Sequence, residues 1–431
     1  MNIDRDVAHV TCLGCGCNCD DIHVVVRSGR ITEATRACTL GAEWFGDGVV
    51  PQRSMQGGRD VAVEAAIHAA GELLARANRP LVYLAPDISW ETQREAVALA
   101  DALHARIDSV TSATAGESIL AAQEHGRASA TLGEIRNRAD VVVFWGVDPA
   151  VRYPRYSSRY ALEPAGMHVP EGRRSRTVVA VDIDDVPNGR GPEDADRRVH
   201  LTATDEVAAL TAIAAIASGR VTNARASSFQ AMPWRLAREL APMLMAARYA
   251  VIVADADRDE AAGARRDPAR ASALIVLAQA LNGPTRCALS SLRAGGNRSG
   301  ADAVLTWQTG YPMATDFGHG YPRYQPHDGT AGACLSRGDV DVLAIVGAPA
   351  CVPVDLRGMM AGVASAVVIG PRASESVFAE RGIVIDTGVA GIHEAGTAVR
   401  MDEVALRLRS VLPGPRAAAP LVRALREASA R

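Results

Sequence analysis

Short apolar runs alternate along the chain with longer segments in which apolar positions recur every three or four residues. The runs at 81–85 (LVYLA), 141–145 (VVVFW), 177–182 (TVVAVD), 250–255 (AVIVAD), 342–346 (VLAIV) and 366–369 (AVVI) are short and rich in β-branched residues. That is the signature of strands buried on both faces. A further strand is expected near 107–110. Helical spacing covers 61–77, 91–104, 114–127, 206–216 and 268–281, and the segment 231–246 leads into the strand at 250–255. Such alternation predicts parallel sheets covered by helices, with ligands at the carboxyl ends of the strands. The start of the chain differs. Residues 22–27 and 30–34 alternate about Ser28-Gly29, a hairpin signal, so 1–57 reads as a small β-rich unit with Gly57-Gly58 as its joint. At the other end, 404–411 and 420–430 read as short amphipathic helices about a Pro/Ala joint.

With 431 residues, the chain can form two or three domains. A net charge of −3 gives no reason to expect nucleic acid or a membrane surface as partner. The first residues, MNIDRDVAHV, lack the basic start and apolar core of a signal peptide, and no apolar run reaches membrane length. A cytoplasmic protein with reduced thiols is expected. There is no lysine, which excludes Schiff-base chemistry and a P-loop lysine.

The densest chemistry lies in HVTCLGCGCNCDD, His9 to Asp21. Cys12, Cys15 and Cys19 form a close trio, Cys38 follows after the hairpin, and Cys17 is a fifth thiol. A trio plus one distant cysteine suits a [4Fe–4S] cluster. Structural zinc prefers two separated Cys-x2-Cys pairs. A cysteine-rich turn that binds nothing is the remaining alternative. Two aromatic, arginine-bearing stretches, 147–160 and 310–326, both contain Tyr-Pro-Arg-Tyr. Guanidinium groups beside aromatic faces suit phosphates, carboxylates or flat heterocycles; rigid loops with internal ion pairs would look the same.

Taken in order, these motifs resemble the B-subunit family of formylmethanofuran dehydrogenase, within the molybdopterin oxidoreductases. The Cys12-x2-Cys15-x3-Cys19 run with Cys38 is similar to the family's cluster motif. Phe144-Trp145-Gly146 and the Arg155 to Tyr160 stretch resemble the strand-end motif over the pterin dinucleotide. The run 300–310 (GADAVLTWQTG), the GYPRY of 320–324 and the run 391–404 (GIHEAGTAVRMDEV) are similar to internal and C-terminal signatures. The resemblance implies an α/β fold of molybdopterin-oxidoreductase type: a small N-terminal cysteine-rich β unit and two parallel-sheet α/β domains, with no C-terminal β-barrel. The expected boundaries are 1–57 for the cysteine unit, 58–136 with 335–412 for a discontinuous domain, 137–334 for an inserted domain and 413–431 for a helical tail. Trp145, Arg155, Arg159, Trp307 and Arg323 become candidates for a cleft wall.

One departure is decisive for the expected role. The resemblance places Thr114 where redox members carry a metal-bound cysteine or selenocysteine, and Ala115 where they carry a histidine. A hydroxyl is a poor ligand for tungsten beside a thiolate, and a methyl moves no proton. The isolated Cys287, Cys334 and Cys351 read as small core residues and offer no replacement. The acidic turn Asp182 to Asp185 replaces an Arg/Thr motif and would repel a pyrophosphate. The resemblance thus implies the non-redox B subunit of a bacterial formyltransferase/hydrolase complex in tetrahydromethanopterin-linked one-carbon metabolism. It would have no catalytic residue of its own and would act as scaffold for hydrolase, transferase and C subunits. A [4Fe–4S] cluster is expected and a tungsto- or molybdopterin is not. The alternative is a redox-active tungsten or molybdenum subunit that interconverts carbon dioxide and formate. A stand-alone carboxylate binder using Arg155, Arg159 and Arg323 is a third class.

Overall fold

The computed structural model describes residues 4–256 and 267–430; the outermost ends of the expected first and last domains lie outside them. The chain forms two compact units, one from Met1–Thr114 with Gly295–Arg431, the other from Ala115–Ala294. The first opens with strands β1 (Arg5–Val10), β2 (Ile22–Arg27) and β3 (Arg30–Thr35), an antiparallel sheet. It continues through β4 (Ser54–Gln56), β5 (Arg59–Asp60), β6 (Pro80–Leu84) and β7 (Arg106–Ser109). The second unit supplies β8 (Val141–Trp145), β9 (Thr177–Ile183), β10 (Arg197–Leu201), β11 (Ala250–Asp255) and β12 (Cys287–Leu292). The chain then returns with β13 (Thr315–Asp316), β14 (Arg323–Tyr324), β15 (Val342–Val346), β16 (Ser365–Gly370), β17 (Ile383–Asp386), β18 (Gly396–Val399) and β19 (Ala405–Leu408).

The main sheet of the first unit runs β14-β13-β7-β6-β15-β16-β17-β4-β5. Its central strands are parallel, and their residues are buried throughout, which is why they read as unbroken apolar runs. Helices Val63–Ala75, Trp90–Ala102, Arg298–Thr309 and Ala418–Ser429 supply the core on one face, and Val354–Met360 packs on the other. Gly71 lets the first and last of these helices touch: a Cβ there would lie 2.7 Å from that of Ala428. The second unit's sheet is wholly parallel, order β10-β9-β8-β11-β12, with helices Ala203–Ala217, Met232–Ala246 and Ala269–Leu281 in its core.

Several expectations shift. The inserted unit starts at 115 instead of 137, because helix Gly116–His125 packs on Ala269–Leu281. It ends at 294 instead of 334, because helix Arg298–Thr309 packs on Trp90–Ala102 and β13 pairs with β7. The last helix is a layer of the first unit, not a tail. Gly57 and Gly58 are no joint. Both have positive φ and form the turn of the β4–β5 hairpin at the edge of the main sheet. The expected helix at 404–411 is β19, paired antiparallel with β18. Leu406 and Leu408 alternate with Arg407 and Arg409, a period of two hidden by helix-forming residue types. No helix among the described residues is long and apolar enough to cross a membrane.

Candidate functional site

The cysteine loop, 11–21, is clamped by the β18–β19 hairpin. Thr11 Oγ1 donates to Arg407 O at 2.9 Å, Asn18 Nδ2 to Val399 O at 3.3 Å, and Met401 N to Gly16 O at 3.2 Å. Leu13, Ala390, Ala398 and Leu408 form a small core beneath it. Glycines bring the loop close to its neighbours. A Cβ on Gly14 would lie 2.7 Å from Leu40 O, and one on Gly41 would lie 3.3 Å from Cys12 Sγ and 3.9 Å from Cys38 Sγ. Cys12, Cys15, Cys17 and Cys19 are buried, Cys38 is half-buried, and none is in a disulfide.

These sulfurs are mutually close. Burial pushes the Cys12 thiol up, the N–H of Gly14 at 3.3 Å pulls it down, and Cys15, Cys19 and Cys38 each push it further up. Cys17 is raised by its hydrogen bond with Cys15 and then by burial, while nearby Arg400 lowers it. Arg400 is itself buried and held by Asp402 at 2.6 and 2.7 Å. Among the described residues no three His, Cys, Asp or Glu side chains close on a point fit for a single ion, as zinc needs. A four-iron cluster is wider and asks for four thiolates around a larger volume. Cys12, Cys15, Cys19 and Cys38, beside Gly14 and Gly41, are the thiols that would hold such a group. When bound it would supply a one-electron store and a covalent staple for a loop-rich unit.

The Thr114 position fits its expected group poorly. Thr114 and Ala115 are 4% and 2% exposed. Thr114 Oγ1 donates to Val110 O at 3.1 Å and accepts from Arg298 Nη1 at 3.2 Å. Arg298 Nε also holds Gly295 O at 3.1 Å. A threonine hydroxyl has one proton to give, and its lone pair here faces a permanent cation. No local signal in the sequence points to this arginine, which lies 184 residues away. Cys351, expected in the core, is exposed. Desolvation, then the charge of Asp87, pushes its thiol up while Arg298 and Arg357 pull it down, so it offers no ready thiolate. Cys287 and Cys334 are small core residues as expected.

The cleft candidates have different fates. Trp145 is 1% exposed and belongs to the core, with its indole N–H donating to Glu206 Oε1 at 3.0 Å. It is not a wall residue. Arg155 is half-buried in the second unit, and Arg159 lies over the Tyr160 ring, 5.0 Å from its centroid. Trp307, in the first unit, is 61% exposed and meets Trp90 edge-on with centroids 4.5 Å apart. Arg323 is exposed beside His319 at 3.3 Å. The two Tyr-Pro-Arg-Tyr stretches also diverge. Tyr153 and Tyr156 are fully buried, the latter sharing a 2.9 Å hydrogen bond with Ser290. Tyr321 is exposed, and Tyr324 stacks on Tyr311 at 5.0 Å. The acidic turn is neutralised from within. Asp182 holds Arg198 at 2.6 Å and the N–H of Gly191 at 2.8 Å, Asp184 meets His200 at 3.0 Å, and Asp185 accepts from Ala203 N at 2.7 Å. Its charge stabilises the chain's own loops before it repels anything.

A cysteine unit followed by two parallel-sheet α/β layers, with no closed barrel among the described residues, is the molybdopterin-oxidoreductase type of fold. No protein-family model matches the chain. It is 30% identical over 425 residues to the B subunit of the tungsten-containing formylmethanofuran dehydrogenase 2 of Methanocaldococcus jannaschii, spanning 96% of this chain and 95% of that protein. Identity to the same-named protein of Methanococcus maripaludis is 30% over 418 residues, 94% of each. The chain therefore belongs to the B-subunit family of formylmethanofuran dehydrogenase. Its fold also matches, with a TM-score of 0.68 and 22% identity, a chain in the crystal structure of the formyltransferase/hydrolase complex (FhcABCD) from Methylorubrum extorquens in complex with methylofuran. That match covers 86% of this chain and 97% of the other.

Proposed function

We propose that this chain is a non-redox B subunit of a cytoplasmic formyl-transferring and formyl-hydrolysing complex of one-carbon metabolism. It serves as scaffold for hydrolase, transferase and C subunits and contributes no catalytic side chain. The observation that carries this reading is the Thr114 environment. Thr114, which the resemblance places at the metal-ligand position of redox members, is a hydroxyl bonded to Arg298 and Val110, beside a methyl at Ala115. Neither a soft donor nor a proton carrier stands there. The fold similarity to a chain of a formyltransferase/hydrolase complex supports the assignment to a multi-subunit assembly.

The second reading, a working tungsten or molybdenum subunit, draws on the cysteine loop. Cys12, Cys15, Cys19 and Cys38 could hold a cluster that passes electrons, yet the same cluster serves a scaffold as a staple. The complex purified with its partners separates the two. The scaffold reading expects hydrolysis of the formylated carrier to formate without tungsten or molybdenum, unchanged in Thr114→Ala. It also expects no reduction of carbon dioxide by reduced viologen. Viologen-driven formate production that Thr114→Ala abolishes would overturn it.

A further inference from the structure

Both parallel sheets contain a point where the strand order reverses. In the first unit β6 leads to β7 on one side, while β15 leads to β16 on the other, and β6 and β15 are neighbours. In the second unit β8 leads to β9 and β10, β11 leads to β12, and β8 and β11 are neighbours. Open α/β sheets take their nucleotide in the crevice beyond the carboxyl ends of such a strand pair, where glycines clear room for phosphate and main-chain N–H groups receive it.

In the first unit that seat is taken. Asp87 follows β6, and both its carboxylate oxygens accept from Ala348 N, which follows β15, at 2.9 and 3.1 Å. The room is made by glycines. A Cβ on Gly347, whose φ is +109°, would lie 2.7 Å from Asp87 Oδ1, and one on Gly370 would lie 2.1 Å from Gly347 O. Glu394 lies near enough to feel the charge of Asp87. An incoming phosphate would meet carboxylates, not open N–H groups. In the second unit Arg270 ties the two strand ends together. Its guanidinium donates to Asp255 O at 3.1 Å and Trp145 O at 3.4 Å, and Glu206 neutralises it at 2.6 Å. Arg152 closes on the Asp255 carboxylate at 2.7 Å. The hollow lined by Ser118, Arg127, Asp255, Arg270 and Ser291 has about 20 Å³, room for one water.

We infer that the chain's own carboxylates and guanidiniums occupy both nucleotide seats of its sheets, with Asp87 in the place of a phosphate, so the pterin dinucleotide of its tungsten-containing relatives does not fit. This deepens the non-redox reading but is separable from it, since it concerns phosphate seats and not the metal ligand. The test uses the full chain with its partners. Asp87→Gly empties the first seat; Asp87→Asn keeps it filled while shedding the charge. In chloride buffer Asp87→Gly should melt about 2–4 °C below the wild type and recover most of that loss in millimolar inorganic phosphate. Wild type and Asp87→Asn should show no phosphate response. Equilibrium dialysis of the wild type against ADP and GDP should show no stoichiometric binding, an arm that holds even if Asp87→Gly fails to fold. An Asp87→Gly protein indifferent to phosphate, or one nucleotide bound per wild-type chain, would overturn this inference while leaving the non-redox reading intact. Tungsten in the complex would instead sink that reading.

Discussion

Two regions of the first unit, the cysteine loop and the surroundings of Thr114 and Asp87, differ in what their polar groups are bound to. The cysteine loop still gathers five thiols around glycine, with a buried arginine alongside. Around Thr114 and Asp87 the polar groups are spent on one another: hydroxyl on guanidinium, carboxylate on N–H. The segment 295–298 touches both regions. Gly296 N donates to Leu13 O of the loop, and Arg298 reaches Thr114. One segment thus braces both regions, though only the cysteine loop keeps a set of thiols together. The lesson is that family membership carries over a fold, while each cofactor position must be judged by what its donors already bind.

The largest effect expected on this contrast comes from the loop. Cys12→Ser should drop iron and acid-labile sulfide from about four per chain to near none, measured on anaerobically purified protein; unchanged iron would show that another thiol set holds it. Next is Asn297→Ala. Asn297 is fully buried, donates to Ile88 O at 3.0 Å and accepts from Val399 N at 2.7 Å. Removing it strands buried partners on both sides and should cost about 3 kcal/mol in urea unfolding. Iron content should fall with it, since Val399 belongs to the hairpin clamping the loop.

The third effect is a pH dependence confined to the occupied region. Burial raises Glu394 to about 7, partly offset by the N–H of Ala418, and raises Asp87 to about 6. Both lie above their unfolded values, so the stability they contribute is fully present below those values and is lost as pH rises through 6 to 7. The unfolding free energy should therefore be higher near pH 5.5 than near pH 8, by about 2 kcal/mol from Glu394. Glu394→Gln should flatten the profile; a midpoint rising with pH would contradict the assignment. The smallest effect is expected from Thr114→Cys. It restores a soft donor but leaves Arg298 and Ala115 in place. Stability should change by less than about 1 kcal/mol, and metal analysis after expression with tungstate should find none bound.

Much of the fold was legible. Strands β8, β11 and β15 coincide with their apolar runs because burial on both faces leaves nothing but apolar residues to write. The β2–β3 hairpin followed from its turn. What was missed had weak local patterns. The strand Cys287–Leu292 carries two serines, and β19 is Ala-Leu-Arg-Leu, residue types that favour helices in isolation. At the site, the four cysteines and the odd pair Thr114-Ala115 were readable from spacing and resemblance. Arg298 on Thr114 and Asp87 on Ala348 were not, since such pairings are set by topology across 184 and 261 residues. Trp145 misled for a physical reason: a tryptophan ending a strand can face a cleft or cap the core, and Glu206 decides for the core.

The most direct test of the central claim is metal stoichiometry on the complex purified without oxygen from cells supplied with iron, tungstate and molybdate. About four irons and four sulfides per chain, with tungsten and molybdenum at background, is the predicted result. One tungsten or molybdenum per chain would contradict it.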